Sequence, residues 1–298
     1  MYACSPPQAA ALRGLAALLA CCAPLAAQAQ VSEPNADPAE LPDAPPPPGP
    51  PDRQLQVGLF TAYTPAFLGS KDYQLIAGPN IQLRYDRISL SLQDGLGFDV
   101  IRGGGWRVGP SIGLRQSRQQ DGDSPLRIAG DRSDALLGLG TIKASADVGG
   151  YVAWESGPIG ARLDVRQATN SDLGLIATLG LRYTAMIPTS SAPRARPAIF
   201  SIGPRLSFVD DKYNQAYFGV TAAQSARSGL SPYRAEGGLL SAGVGAVAIV
   251  PLSEWISGML IGAYDRLAGD AARSPLVEER GSRNQATVAL GLSYRFGL

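Results

Sequence analysis

No histidine occurs anywhere in this 298-residue chain. That removes the commonest general base and the commonest metal ligand. Cysteine is almost as scarce: Cys4, Cys21 and Cys22 all lie within the first 22 residues. Beyond them disulfides, thiolate nucleophiles and cysteine-based metal sites are excluded. Charge is thin, at 17% Asp, Glu, Lys and Arg, and nearly balanced at a net +1. The basic residues are dispersed, so nucleic-acid binding has no support. No apolar run is long enough for a membrane helix. Acidic pairs such as Asp210-Asp211 and Glu278-Glu279 do occur. Without His or Cys partners they read as solvated loop acids. No catalytic, cofactor-binding or metal-ligating set emerges, and the chain reads as non-enzymatic.

Residues 1–29 read as a secretory signal peptide. Arg13 supplies positive charge, Gly14 to Leu25 an apolar core and Ala27-Gln28-Ala29 an A-x-A cleavage site. Leu18-Leu19-Ala20-Cys21 offers a competing reading, lipoprotein processing with Cys21 acylated. Residues 30–53 are acidic and proline-dense, with Pro45 to Pro48 consecutive and Pro50-Pro51 following. Such a segment cannot bury enough apolar surface to order itself, and is expected to be extended and disordered. It serves as a tether or, alternatively, as a docking segment for a periplasmic partner.

From Gln54 to Leu298 the pattern becomes strand after strand. In the last stretch, Ala286, Val288, Leu290, Leu292, Tyr294 and Phe296 share one parity. Thr287, Ala289, Gly291, Ser293 and Arg295 share the other. Successive strand side chains point to opposite faces, so one face is apolar and the other small or polar. Segments 54–63, 73–85, 106–118, 142–155, 158–167, 173–186, 198–209, 238–250, 255–266 and 284–296 repeat the theme. Alternation alone does not separate a soluble barrel, apolar inside, from a membrane barrel, apolar outside. Three features favour outside: long segments, a second parity mixing Arg, Asp, Ser and Gly, and aromatics at strand ends. The fold class is therefore all-β, a transmembrane antiparallel up-and-down barrel. Its last strand should close on the first near Leu55 to Tyr63.

Tight links at Tyr85-Asp86-Arg87, Arg102 to Gly105, Ser156-Gly157-Pro158 and Pro251 to Glu254 should be periplasmic turns. Tyr85, Trp106, Trp154, Trp255, Tyr294 and Phe296 would then form a periplasmic aromatic girdle. The inward parity is assigned Arg107, Arg115, Lys143, Arg162, Arg166, Arg182, Arg205 and Arg295 against Asp147 and Asp164. That excess favours anions if a pore is open; pairing of these charges across the lumen would plug it.

Between Arg87 and Ile101 there is room for one strand or for two short ones broken at Asp94-Gly95. Single-chain barrels have even strand numbers, so the split, giving twelve, is preferred, with ten the alternative. Leu92, Leu96, Phe98 and Val100 nevertheless hold one phase through the break. Gly78-Pro79, Gly109-Pro110 and Gly203-Pro204 form an internal echo, expected to mark bulges or local breaks. Gly237 to Leu252 is nearly uncharged but too short and Gly-rich for a membrane helix, and reads as a lipid-exposed strand.

The long links carry a resemblance. Asp210-Asp211-Lys212-Tyr213 and Tyr217-Phe218-Gly219-Val220 lead into Ala226-Arg227-Ser228-Gly229-Leu230 and Tyr233. Phe67-Leu68-Gly69-Ser70 with Tyr73, Gly269-Asp270-Ala271-Ala272 and Ser274-Pro275-Leu276-Val277 accompany them. Together with Leu290 to Phe296, these resemble the MipA/OmpV family of MltA-interacting outer-membrane proteins, from about residue 54 to the end. The resemblance implies a monomeric barrel in the bacterial outer membrane, in contact with its lipid. It also implies assembly through the C-terminal strand by the barrel assembly machinery. The implied role is a scaffold joining a lytic transglycosylase to a murein synthase. Other members are described as small porins or as adhesins, which here would act through loops 119–141, 210–237 and 267–283. Family barrels tend to finish on the aromatic, whereas Gly297 and Leu298 follow Phe296 here.

Overall fold

A computed structural model describes residues 53–122, 126–130, 132–189 and 196–297. The expected signal peptide and all but the last residue of the proline-rich segment lie outside the described residues. The strands are β1 (Arg53–Pro65), β2 (Tyr73–Tyr85), β3 (Ile88–Ser91), β4 (Gly95–Phe98), β5 (Ile101–Gly103), β6 (Trp106–Arg115) and β7 (Arg127–Ala129). They continue with β8 (Ser145–Ser156), β9 (Ile159–Ala168), β10 (Leu175–Ile187), β11 (Ala198–Val209), β12 (Gly238–Pro251), β13 (Ile256–Leu267) and β14 (Asn284–Gly297).

All pairings are antiparallel, and β1 pairs with both β2 and β14, closing the sheet on itself. Leu55 stands opposite Phe296 and Tyr63 opposite Val288. Round the ring run β1, β2, β3, β4, β6, β8, β9, β10, β11, β12, β13 and β14. That is a barrel of twelve places, with β5 continuing β4 against β6 and β7 lying on the upper part of β2. Among the described residues no helix is long and apolar enough to cross a membrane. The barrel crosses with strands.

The split between β3 and β4 is real, and its register explains the unbroken phase. Leu90 pairs with Leu96 and Ser91 with Gly95, so paired numbers sum to an even value. The chain reverses through Leu92–Asp94 while odd and even residues keep their faces. Apart from Leu92–Asp94, the tight links gather at the end that holds Arg53 and Gly297. Two-residue hairpins there place Asp86 (φ 51°) and Gly157 (φ 56°) in the left-handed region that suits the strand twist.

The Gly-Pro echoes do not break their own strands. The β1–β2 register runs through Pro79, β6–β8 through Pro110 and β11–β12 through Pro204 without a shift. Each proline instead meets an interruption on its other side. Pro79 lies above the end of β3, Pro110 faces the gap between β4 and β5, and the β10–β11 ladder lapses opposite Gly203 and Pro204. A residue without an N–H loses least where no partner strand accepts it.

The apolar parity points outward: Leu59 (69% exposed), Leu163, Leu181, Val244, Leu260 and Leu290 are all large, apolar and uncovered by protein. Along β13 the aromatic rims are set by Trp255 and Tyr264, nine residues apart. That is ~30 Å along the strand at ~3.3 Å per residue. A tilt of ~40° reduces it to ~23 Å, close to the ~25 Å apolar band of such barrels. Leu290 pairs with Leu260 midway between these rims. Leu290→Arg is therefore expected to lower folding stability in lipid vesicles by ~2–4 kcal/mol, read from urea unfolding by tryptophan fluorescence.

Candidate functional site

The inner face concentrates its charge on neighbouring strands. Arg107 of β6 and Arg182 of β10 both donate to Glu155 Oε1 of β8, at 2.9 and 2.7 Å. Arg162 grips Asp164 through two N–H groups (2.6 and 2.7 Å) and lies 4.5 Å over the Tyr151 ring. The Tyr151 hydroxyl donates in turn to Asp99 (2.6 Å). Higher up, buried Arg115 pairs with buried Asp147 at 3.1 Å, and Arg205 pairs through two N–H groups with Asp265. Arg295 is buried on the inner face of β14 and Arg166 half-buried on that of β9. Charges withdrawn from water this far are held only where paired and hydrogen-bonded.

Lys143, assigned to the inward parity of a strand, is instead exposed in the loop before β8. Three acids missing from the sequence-based inner set, Glu155, Asp265 and Asp99, supply much of the pairing. Glu155 shares the parity of Asp147 but sits beside a turn. Asp265 shares the parity of inward Ile261 and Ala263, a signal that was available. Asp99 occupies the link between β4 and β5 with parity opposite to outward Phe98 and Val100, a signal that the alternation also carried. Arginines still outnumber carboxylates on this face, by less than the sequence implied.

Above the barrel the long links fold into one cap. Four helices build it: α1 (Asp211–Phe218), α2 (Ala222–Ser228), α3 (Gly269–Arg273) and α4 (Pro275–Arg280). Local sequence starts and stops them. Asp210 caps α1 by accepting from the Tyr213 N–H, and Thr221 with Gln224 forms a capping box on α2. Gly229, at φ 77°, ends α2, while Ser274 and Pro275 open α4. The cap holds two buried apolar clusters, one with Tyr213 and Phe218 and the other drawn from four links through Phe67, Leu136, Leu230 and Leu276, all six residues 0–1% exposed. The scattered loop motifs that carry the family resemblance converge there.

Polar bonds pin the links together. Ser274 Oγ donates to the Phe218 carbonyl (2.6 Å), Gln224 to Leu139 (2.6 Å) and the Gly69 N–H to Gln285 (3.0 Å). Arg280 donates to the carbonyls of both Ala135 and Ser228. Arg118 donates to the Tyr217 carbonyl at 2.6 Å and lies 5.5 Å over its ring. Burial lowers its pKa to about 10, so it stays cationic at neutral pH. Burial likewise raises the Tyr233 pKa, and its hydroxyl donates to the Asp270 carbonyl. Arg115 of β6 reaches the Leu173 carbonyl (2.6 Å) under the Tyr213 ring (5.2 Å), and Tyr213 shares one buried apolar cluster with Leu267 of β13. Strands β6 and β13 stand six places apart in the ring of twelve. The cap therefore bridges opposite walls.

At the other end Tyr85, Trp106, Trp154, Trp255, Tyr294 and Phe296 all lie beside the short links. Trp106 and Trp154 pair across β6 and β8 with ring centroids 6.3 Å apart. Tyr294 stacks on Trp255 (6.5 Å) and meets Phe296 edge-on (4.7 Å). Among the described residues no group of three or more His, Cys, Asp or Glu is placed to hold a metal ion.

A family model described as MltA-interacting protein MipA matches residues 57–296, which is the barrel and its cap. No curated protein matches the chain. Among solved structures it is similar to an outer-membrane channel from Pseudomonas putida F1, at 10% identity over 85% of this chain and 99% of that one (TM-score 0.44). The NanC porin is also similar, at 10% identity over 80% of this chain and 98% of that one (TM-score 0.39).

Arg280→Ala deletes the bonds to Ala135 and Ser228 without touching a strand. It is expected to cost the cap ~1.5–3 kcal/mol, as for lost bonds to a charged donor. The check is faster hydrogen exchange or proteolysis within 132–144 and 211–236, with protection of the strands unchanged.

Proposed function

The chain belongs to the MltA-interacting protein (MipA) family, and on that premise we propose that it is a non-enzymatic anchor in the bacterial outer membrane. In this reading it holds a lytic transglycosylase and a murein synthase together at the periplasmic face. The observation that carries the reading is the cap. Its apolar core and its bonds across the mouth make the loop end a structural closure. The turn-side rim, and the proline-rich segment that enters at Arg53, are the surfaces left facing murein. A monomer assembled through β14 suffices for this.

The test is affinity purification from crosslinked envelopes with the full-length chain and with a chain lacking residues 30–52. Full-length protein is expected to recover murein enzymes, and the deletion to recover fewer. Equal, negligible recovery from both counts against an anchor.

A second reading, an anion-preferring channel, is favoured by the arginine excess on the inner face. In planar bilayers the capped barrel should conduct little, and Arg280→Ala should conduct more, with anions preferred. Cation preference, or silence from both proteins, removes the channel.

A further inference from the structure

Among the described residues the ladder of the barrel wall is interrupted on one side. Strands β3 and β4 have four residues each. Their tip reaches only to Ile81 on β2, whose carbonyl accepts from the Leu92 N–H at 3.3 Å. Above that point no described strand spans from β2 to β6. Ile81 stands four residues above the rim residue Tyr85. That is ~13 Å along the strand at ~3.3 Å per residue, or ~10 Å of depth at a ~40° tilt, so the notch opens about two-fifths of the way up a ~25 Å apolar band. Its upper border is β7, which pairs with β2 at Leu75 and Ile76, while the Ala77 N–H donates to Leu126 (3.0 Å). Among the described residues β7 has no strand on its other edge.

Ala77 and Ile81 direct their backbones into this side. The position between them with the same direction is Pro79, which has no N–H. The donor that hydrocarbon would leave orphaned is missing from the sequence itself. Losing that donor lowers the cost of leaving this edge uncovered, with the Pro79 carbonyl remaining as an acceptor.

Behind the notch the inner face of β2 runs Gln74, Ile76, Gly78. A Cβ on Gly78 would lie 3.0 Å from Leu126 Cδ1 and 3.3 Å from the Phe60 ring. The Leu126 side chain thus enters the barrel and packs on an apolar inner patch that includes Phe60, Ile76 and Met259. Gln74, nearer the upper rim, is fully buried, and both its amide atoms have no partner in the described structure. A buried amide without a bond costs about 1–3 kcal/mol. An apolar inner patch beside the gap in strand pairing, with an unsatisfied amide toward its upper end, suits an amphiphile and not a hydrated ion.

We infer that the notch is a lateral binding site for a fatty-acyl chain drawn from the membrane. The chain replaces the Leu126 side chain over Gly78 and lies along Phe60, Ile76 and Met259. Its carboxyl or ester oxygen accepts from Gln74 Nε2.

The test uses the full chain in nanodiscs doped with a diazirine-bearing palmitic acid, with adducts mapped by mass spectrometry after irradiation. Outward residues such as Leu59 are labelled by any surrounding lipid. The expected result is additional labelling of inward Phe60, Ile76 and Met259. Leu126→Ala, which vacates the seat, should raise inward labelling several-fold. Gly78→Leu, which fills it, should abolish inward labelling and spare outward labelling, with folding verified by heat-modifiable gel migration. Inward adducts absent from both the native chain and Leu126→Ala overturn the site. So does inward labelling that Leu126→Ala leaves unchanged.

Discussion

An unpaired N–H or C=O in hydrocarbon costs several kcal/mol, and this structure is arranged around avoiding that cost. A sheet with two free edges cannot sit in lipid, so β1 must be satisfied on both sides, by β2 and by β14. Once the ring is closed, face assignment follows, because one parity meets lipid and the other the interior. The same cost explains the prolines. Pro79, Pro110 and Pro204 each turn their missing donor toward a lapse in a neighbouring ladder, where a normal residue would have left an orphan.

The cap depends on that closure. Its core residues come from links that are distant in sequence, and only the ring brings Phe67, Leu136, Leu230 and Leu276 within reach of one another. Asp210 shows the coupling at a single side chain. Its Oδ1 accepts from the Tyr213 N–H to start α1 and from the Leu175 N–H at the top of β10 (3.0 Å). A helix start and a strand end are thus one hydrogen-bonded unit. The cap cannot form in full before the strands below it are in register.

The fold was legible to the extent that alternation is a local signal. Outward residues and the turn-side aromatics follow from period two and from the length of the links, whereas the twelve places also needed the even strand number of closed single-chain barrels. The cap was not legible, because helices of five to eight residues have no periodicity to read. Their caps at Asp210, Thr221 and Ser274 are visible in the sequence, yet they say nothing about which loops meet. Lys143 was misplaced for the complementary reason: a polar residue just outside a strand continues the alternation by accident. The Gly-Pro echo was legible as an irregularity, but it belongs to the neighbour across the ladder and not to the strand that carries the proline.

Ring order adds something that parity cannot contain. Parity pools all inward residues into one average, and that average looks like an arginine-rich pore. Sorted by strand, the inner face divides. Arg107, Glu155, Arg162, Asp164 and Arg182 lie on β6, β8, β9 and β10. Ile199, Val247, Ile249, Ile261, Ala289, Ala62 and Ile76 form one buried apolar cluster running from β11 through β14 to β2. The buried Arg205–Asp265 pair, Arg295 and, lower on β2, Arg84 are charged residues on that second arc. A field produced by paired charges on one arc, opposite a low-dielectric wall, is short-ranged and local. The whole-lumen charge balance is therefore a poor guide to what this interior accepts. The arrangement around the ring is the better guide, and it describes a lumen with a polar side and an oily side.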